Sequence, residues 1–177
     1  MTTWRAPEVD RRHEPYVAEE RDMLQGWLDT HRDTLRLKCA GLTADQLRTP
    51  SVEPSGLTLL GLVRHMADVE RWWFRHHAAG LELPDLYDYS ADPDADLNDI
   101  ADADPAEAFA TLHAEIEAAD RAVADLPLDH TFVSRKRDGS THEISLRWVY
   151  VHMIEEYARH NGHADLIRER LDGVTGS

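Results

Sequence analysis

One long stretch near the C-terminal end constrains the fold and the chemistry of this chain more than any other. It reads SLRWVYVHMIEEYARHNGHADLIRERLDG and runs from Ser145 to Gly173. Serine is a favoured helix N-cap and glycine commonly follows the last helical residue, so the stretch predicts a single helix. Successive helical residues are rotated by about 100°, so four polar side chains fall on one stripe about 80° wide. These side chains are His152, Glu156, His160 and His163.

Three imidazoles and a carboxylate on one stripe would be costly to bury unless they share a ligand. Neutral imidazole nitrogen and carboxylate oxygen are the ligands that zinc-like cations accept in proteins. One helix can supply two ligands four residues apart, but a tetrahedral site needs a third ligand from another part of the chain. The stripe therefore indicates part of a divalent-metal site.

Composition limits the kinds of partner and compartment. The chain has 177 residues, 42% of them apolar, which is enough for one domain with a buried core. Its net charge of −15 argues against binding to nucleic-acid phosphates or anionic lipid. The single cysteine, Cys39, excludes an internal disulfide and favours a reducing cytoplasm. Because no apolar run has the length of a membrane span, and residues 1–20 are too charged for a signal peptide, we expect a cytoplasmic protein with no membrane partner.

Apolar residues recur at spacings of three and four along three further segments, which predicts three more long helices. These segments are 15–40, 56–79 and about 105–125. Ser55 or Thr58 would open the second of them, and Asp104 would cap the third ahead of Pro105. The fold class predicted is all-α, a four-helix bundle in which residues 1–177 form a single domain.

The remaining segments predict connections. Residues 1–14 read as an extended lead-in that packs loosely, and residues 42–55 read as a loop with room for one short turn after Thr43. Residues 81–104 are acidic, rich in Asp and Pro, and long for a connection within a bundle, so we expect them to run along the bundle or cover one end of it. Two short β-prone runs flank Asp138-Gly139 and predict a small hairpin before the last helix.

His65 is the best candidate for the missing ligand, because it lies on the apolar face of the second predicted helix. Together with Glu156 and His160 it would give two nitrogens, one oxygen and an open fourth position. That is the ligand pattern of a catalytic rather than a structural zinc site, although other divalent ions fit such a set too. We expect His152 and His163 to line the cavity or contact the ligands, one of them as a possible proton acceptor.

Simpler interpretations of the same residues stay open. A lone histidine such as His65 on an apolar face is more often a hydrogen-bonded core residue than a ligand. Glu156 and His160 could be an ordinary pair four residues apart on a solvated surface, beside Arg159. The joint occurrence of these residues with two more histidines on the same stripe favours the metal site.

No nucleophile motif and no glycine-rich phosphate loop competes with the metal site. Cys39 lies on the apolar side of the first predicted helix, so we expect a buried structural thiol. Core or interface packing is the simplest prediction for the tryptophans Trp27, Trp72, Trp73 and Trp148.

Three segments carry a resemblance to the DinB-like superfamily, and to its actinobacterial mini-circle branch. They are TLLGLVRHMADVERWWF at 58–74, AGLTADQLRTP at 40–50, and the helix at 145–173. The resemblance implies a four-helix bundle in which a histidine of the second helix and two residues of the last helix bind a divalent metal, commonly zinc or nickel. Here those positions are His65, Glu156 and His160. Glu156 stands where many members have histidine, and the set is similar to that of mycothiol-dependent maleylpyruvate isomerases.

The resemblance also implies an activity. Characterised relatives use the metal to bind and activate a low-molecular-weight thiol such as mycothiol or bacillithiol, and relatives often dimerise. This implies a metal-dependent enzyme, acting as a homodimer, that activates such a thiol for S-transfer to a small electrophile. One alternative is a non-catalytic protein that binds a metal or ligand in stress response or detoxification. Another is a purely structural role, in which the histidines bond one another around buried water.

Overall fold

The computed structural model describes residues 4–135 and 139–176, except for the side chain of Arg135. The described residues are mainly helical, as predicted. Their α-helices are α1 (Glu20–Cys39), α2 (Ala44–Leu47), α3 (Leu59–Glu70), α4 (Ala95–Asn98), α5 (Pro105–Val123) and α6 (Leu146–Asp172). A π-helical segment, Arg71–Ala78, continues α3, and strands β1 (Thr131–Arg135) and β2 (Thr141–Ser145) form an antiparallel hairpin. The hairpin prediction is confirmed, although Asp138 of its expected turn lies outside the described residues.

Local capping signals fix the ends of three long helices. The Ser145 hydroxyl accepts a hydrogen bond from the Trp148 N–H, and Gly173 ends α6 with a φ of 78°. Left-handed backbone of this kind favours glycine, so the predicted last helix is confirmed at both ends. Asp104 caps α5 in the same way, and Thr58 caps α3. The second long helix therefore starts after Thr58 and not at the predicted residue 56.

The first long helix begins at Glu20, later than the predicted start at Pro15. The preceding segment instead runs back along α1. Pro15 lies so close to Gly26 that a Cβ atom there would come within 2.3 Å of the proline ring, so this contact needs glycine. Arg12 pairs with Asp33 at 2.7 Å, which ties the segment down further. The expectation of a loosely packed lead-in is therefore wrong.

The second long helix changes its winding after Glu70. The prediction of a plain α-helix through this stretch is wrong, because Arg71–Ala78 is a π-helix. Glu115 of α5 accepts hydrogen bonds from both Arg71 and Arg75, at 2.7 and 2.6 Å, and this clamp holds the wider turns. π-helical turns are rare and frequently lie at functional sites.

A buried ionic network joins the helices around the core. Arg32 of α1 pairs with Glu70 of α3 at 2.7 Å, and neither side chain is exposed. The Tyr157 hydroxyl of α6 donates to the same carboxylate at 2.9 Å. A buried charge is costly without its partner, so these three side chains fix α1, α3 and α6 relative to one another.

The acidic connection between the π-helix and α5 lies along α3. The Tyr87 hydroxyl donates to the Arg64 carbonyl at 3.2 Å, and the Arg64 guanidinium lies 4.1 Å from the centre of the Tyr87 ring. Within this connection α4 approaches α3 so closely that a Cβ atom on Gly61 would lie 2.6 Å from the Leu97 carbonyl oxygen. The connection therefore covers α3 beside His65.

Candidate metal centre

The side chains of His65, Glu156 and His160 meet between α3 and α6. One ligand atom from each lies within 4.8 Å of the others. His160 Nε2 is 3.4 Å from Glu156 Oε2, and the His65 and His160 rings meet edge to face with centroids 4.8 Å apart. The structure thus brings together the three residues that the sequence singles out as candidate ligands.

The spacing of these atoms suits a small divalent cation. A zinc–nitrogen distance of about 2.0–2.1 Å separates the ligands of a tetrahedral ion by about 3.4 Å. His160 Nε2 and Glu156 Oε2 already have this separation of 3.4 Å. The other separations are at most 4.8 Å. Three ligands leave one position for water or substrate, as catalytic zinc sites do.

The His65 ring contacts a carboxylate that the sequence did not single out. Asp96 Oδ2 lies 2.6 Å from His65 Nδ1, and Asp96 is buried in α4. A carboxylate oxygen accepts hydrogen bonds, so this contact favours the tautomer that carries its proton on Nδ1, with the lone pair on Nε2. Asp96 stands among many aspartates of the acidic connection. The only hint to its role was the unusual length of that connection.

His160 is held from its own helix and stays neutral. Its Nδ1 lies 3.3 Å from His163 Nδ1, so His163 contacts the candidate ligand from outside the site. Burial, with the nearby imidazoles of His65 and His163, lowers the pKa of His160 to about 4. The ring is therefore uncharged at neutral pH, which is the form that binds a metal.

His152 lies one helical turn before Glu156 on α6, whereas His160 lies one turn after it. Two tryptophan rings pack against His152. Its Nε2 is 3.7 Å from Glu156 Oε1, and its ring stacks on Trp148 with centroids 4.7 Å apart. Trp73 meets the same imidazole edge to face at 4.8 Å. Burial lowers the pKa of His152. Trp148 is 44% exposed, so of the two predicted roles, core or interface packing, a core position does not apply to it, and it lies at the rim of the site.

An open cavity of about 570 Å³ adjoins His65 on the side of the acidic connection. Its wall includes the carboxylates of Asp68 and Asp94 and the rings of Trp72 and Tyr89. Burial is the main cause that raises the pKa of Asp68. The described residues that line this cavity include no lysine or arginine.

Cys39 takes no part in the site. It is fully buried, and burial raises the pKa of its thiol to about 12. A thiol with that pKa is not a nucleophile at neutral pH. The expectation of a buried structural thiol is confirmed.

Comparison with known proteins identifies the family. A family model described as mycothiol-S-transferase matches residues 23–173, a span that contains all three candidate ligands. The chain belongs to the mycothiol-S-transferase family. This family is DinB-like, which confirms the resemblance to the DinB-like superfamily, and membership supports a thiol-related transferase function. No curated protein and no solved structure matches the chain. Within the described part of this family member, no helix is long and apolar enough to cross a membrane.

Proposed function

We propose that this protein is a metal-dependent enzyme that transfers a low-molecular-weight thiol to a small electrophile. His65, Glu156 and His160 are the proposed ligands of the metal, with zinc the best match and nickel the alternative. The observation that carries the proposal is the meeting of two imidazole nitrogens and one carboxylate oxygen within 4.8 Å, beside an open cavity. Membership of the mycothiol-S-transferase family supports the thiol chemistry independently.

The three proposed ligands would leave a bound divalent cation with a net positive charge, which suits the thiolate that the reaction requires. A divalent cation, when bound, supplies the positive charge that stabilises a thiolate, which is the nucleophilic form of the thiol. Two neutral imidazoles and a single carboxylate cancel only one unit of that charge, so the site still favours an anionic sulfur. His160 contributes to this balance because its pKa of about 4 keeps it uncharged.

His152 is the proposed acceptor of the thiol proton. Its lowered pKa leaves the imidazole neutral, and its Nε2 faces Glu156 at 3.7 Å. Stacking on Trp148 holds the ring in place, so the base does not need to be ordered during the reaction. His163 has a different proposed role, since its contact with His160 Nδ1 orients a ligand.

The two sides of the centre offer different environments for the two substrates. Carboxylates such as Asp68 and Asp85 accept hydrogen bonds from hydroxyl groups, and exposed rings such as Trp72 pack against the apolar faces of sugars and polyols. The same carboxylates repel anionic thiols such as glutathione. We therefore place a neutral, hydroxyl-rich thiol such as mycothiol in this cavity. The electrophile, if apolar, packs on Trp73 and Trp148 at the other side.

We further propose that residues 1–177 form one DinB-type domain. Its four-helix bundle comprises α1, α3 with the π-helix, α5 and α6. The homodimer and the cytoplasmic location stay predictions. The exposed Trp148 and Val151 on α6 are consistent with an interface near the site, and gel filtration with light scattering would measure the mass in solution.

The test is conjugation of mycothiol to monochlorobimane by the zinc-loaded protein, followed by fluorescence. We expect turnover that disappears when the metal is removed and returns when it is restored. Glutathione should react at least about tenfold more slowly, since each added repulsion of about 1.4 kcal/mol costs a factor of ten. Metal binding without turnover of mycothiol, bacillithiol or glutathione would contradict the proposal. That result would favour a non-catalytic protein that binds a metal or ligand in detoxification.

A further inference from the structure

The acidic connection brings one side chain directly to the candidate centre. We propose that Asp96 is a positioning residue, which holds the His65 ring in the tautomer and orientation that point Nε2 toward Glu156 and His160. The proposal rests on the proposed metal site, because it assigns a role in preparing one of its ligands. It makes the connection between the π-helix and α5 part of the centre.

The contact itself is short and shielded. Asp96 Oδ2 lies 2.6 Å from His65 Nδ1, and the Asp96 side chain is only 9% exposed. Hydrogen bonds to an ionised acceptor are stronger than neutral ones, and they are weakened less when water is excluded. An imidazole anchored at one nitrogen cannot flip freely, so its second nitrogen keeps a fixed direction. Carboxylates that hold metal-binding histidines in this way raise the affinity of a site.

The backbone around Asp96 is built to hold it in place. The Asp92 carboxylate accepts hydrogen bonds from the Asp94 N–H and from the Asn98 amide, both at 2.9 Å, which closes the turn of α4. Arg64, which precedes His65 in the chain, donates from its guanidinium to the Asp96 carbonyl at 3.0 Å. A helix as short as α4 does not persist alone in water. These contacts therefore stabilise the segment against α3.

Gly61 allows α4 to come this close. A Cβ atom at this position would lie 2.6 Å from the Leu97 carbonyl oxygen, which belongs to the backbone of α4 and cannot move aside alone. Gly61 is four residues before His65 and therefore lies on the same face of α3. A side chain at Gly61 would push α4 away, and Asp96 would lose its contact with His65.

The neighbouring carboxylates do not share this role. Asp68 and Asp94 line the same cavity, but among the described contacts only Asp96 hydrogen-bonds His65 Nδ1. If negative charge alone determined the zinc affinity, all three of these carboxylates would contribute to it. A positioning effect belongs to Asp96 alone, which makes Asp94 a matched control two residues away.

The experiment compares Asp96→Ala, Gly61→Ala and the control Asp94→Ala in two measurements. Zinc affinity is measured by competition with a chromophoric chelator, and the tautomer of His65 is measured by imidazole ¹⁵N NMR on the metal-free protein. In the wild type we expect the proton on Nδ1. Asp96→Ala should lower zinc affinity by about 10–100-fold and remove the single tautomer, as expected for loss of a group that orients a ligand. Gly61→Ala should act in the same direction with the carboxylate still present, and Asp94→Ala should change affinity by less than about twofold.

Two results would overturn the proposal. The first is an equal loss of zinc affinity in Asp96→Ala and Asp94→Ala, which would show a charge effect only. The second is a proton on Nε2 of His65 in the wild type. If the wild type binds no zinc but Asp96→Ala still abolishes the Nδ1–H tautomer, the proposed metal function fails while the orientation of His65 by Asp96 stands.

Discussion

The two halves of the candidate centre are built in different ways. Glu156 and His160 are four residues apart on α6, so helix geometry alone places them side by side. His65 belongs to α3, and its orientation depends on Asp96 from a distant acidic connection. The α6 half is therefore local, whereas the His65 half requires several tertiary contacts. We expect the second half to respond to substitutions far from the ligands, and the first to respond only to substitutions on α6.

The largest expected effect concerns the network that joins the halves. Glu70→Gln removes the fully buried carboxylate that pairs with Arg32 and leaves that guanidinium with only the more exposed Asp29 and Asp120. We expect a loss of about 3 kcal/mol in the free energy of unfolding, at the low end for a broken buried ion pair, because these two carboxylates still compensate part of the charge. Urea denaturation of the metal-free protein measures it. The control, Glu117→Gln, breaks only exposed pairs and should cost less than about 0.5 kcal/mol. Equal stability of the two variants would show that the network does not hold the helices together.

The next prediction compares the zinc affinity of two α6 variants, one at a proposed ligand and one at a neighbouring carboxylate. Glu156→Gln keeps the size of the side chain but removes the anionic ligand, so we expect zinc affinity to fall by more than about 100-fold, beyond the loss typical of supporting residues. Glu155→Gln is the matched control, since the described ion pairs of Glu155 are with Arg159 and His152 and not with His65 or His160. Its affinity should stay within about threefold of the wild type. A similar loss in both variants would indicate a general charge effect on α6.

A pH series tests the local environment of His160 without metal. The pKa of His160 is about 4 in the folded chain, against 6.5 for a free imidazole. Between these values the unfolded chain binds the proton and the folded chain does not, so acidification favours unfolding. Chemical denaturation should give a lower free energy of unfolding for the wild type at pH 4.5 than at pH 7. We expect His160→Asn to reduce this loss by about 1–2 kcal/mol, which is less than the full pKa shift implies because the ring is partly solvated. An equal loss of stability between pH 7 and pH 4.5 in the wild type and His160→Asn would contradict a neutral, buried His160.

The smallest effect compares the two groups that contact the ligand histidines from outside. His163 places an imidazole 3.3 Å from His160 Nδ1, whereas Asp96 places a carboxylate 2.6 Å from His65 Nδ1. Since charge-assisted hydrogen bonds are roughly twice as strong as neutral ones, His163→Ala should lower zinc affinity by only about threefold. Competition with a chromophoric chelator, measured on His163→Ala and on Asp96→Ala, shows which variant loses more zinc affinity. A larger loss in His163→Ala than in Asp96→Ala would reverse the comparison between the halves.

The same division between local and tertiary determinants explains what the sequence could predict. Ser145 and Gly173 are local signals, and the helix between them has the predicted ends. The meeting of His65 with α6 was also predictable, because His65 lies on an apolar face that had to be buried in a helical fold. In each case the deciding information lies within a few residues or in simple periodicity.

The features that were missed depend on contacts between distant segments. Pro15 could have started a helix, and only its contact with Gly26 shows that the chain turns back along α1. The π-helix carries Arg71 and Arg75, which both donate to Glu115, a residue of another helix. Asp96 has the same local context as other aspartates of its segment. Only the close approach of α4 to Gly61 distinguishes it, and sequence periodicity does not report that approach.

The central claim is that His65, from one half, and His160, from the other, bind the same ion. Zinc content by elemental analysis of protein purified without chelator and reloaded with zinc tests this most directly. We expect about one zinc per chain in the wild type, and less than about one tenth of that in His65→Ala and in His160→Ala, because each variant removes one of three protein ligands. No zinc in the wild type, or undiminished zinc in both variants, would contradict the claim.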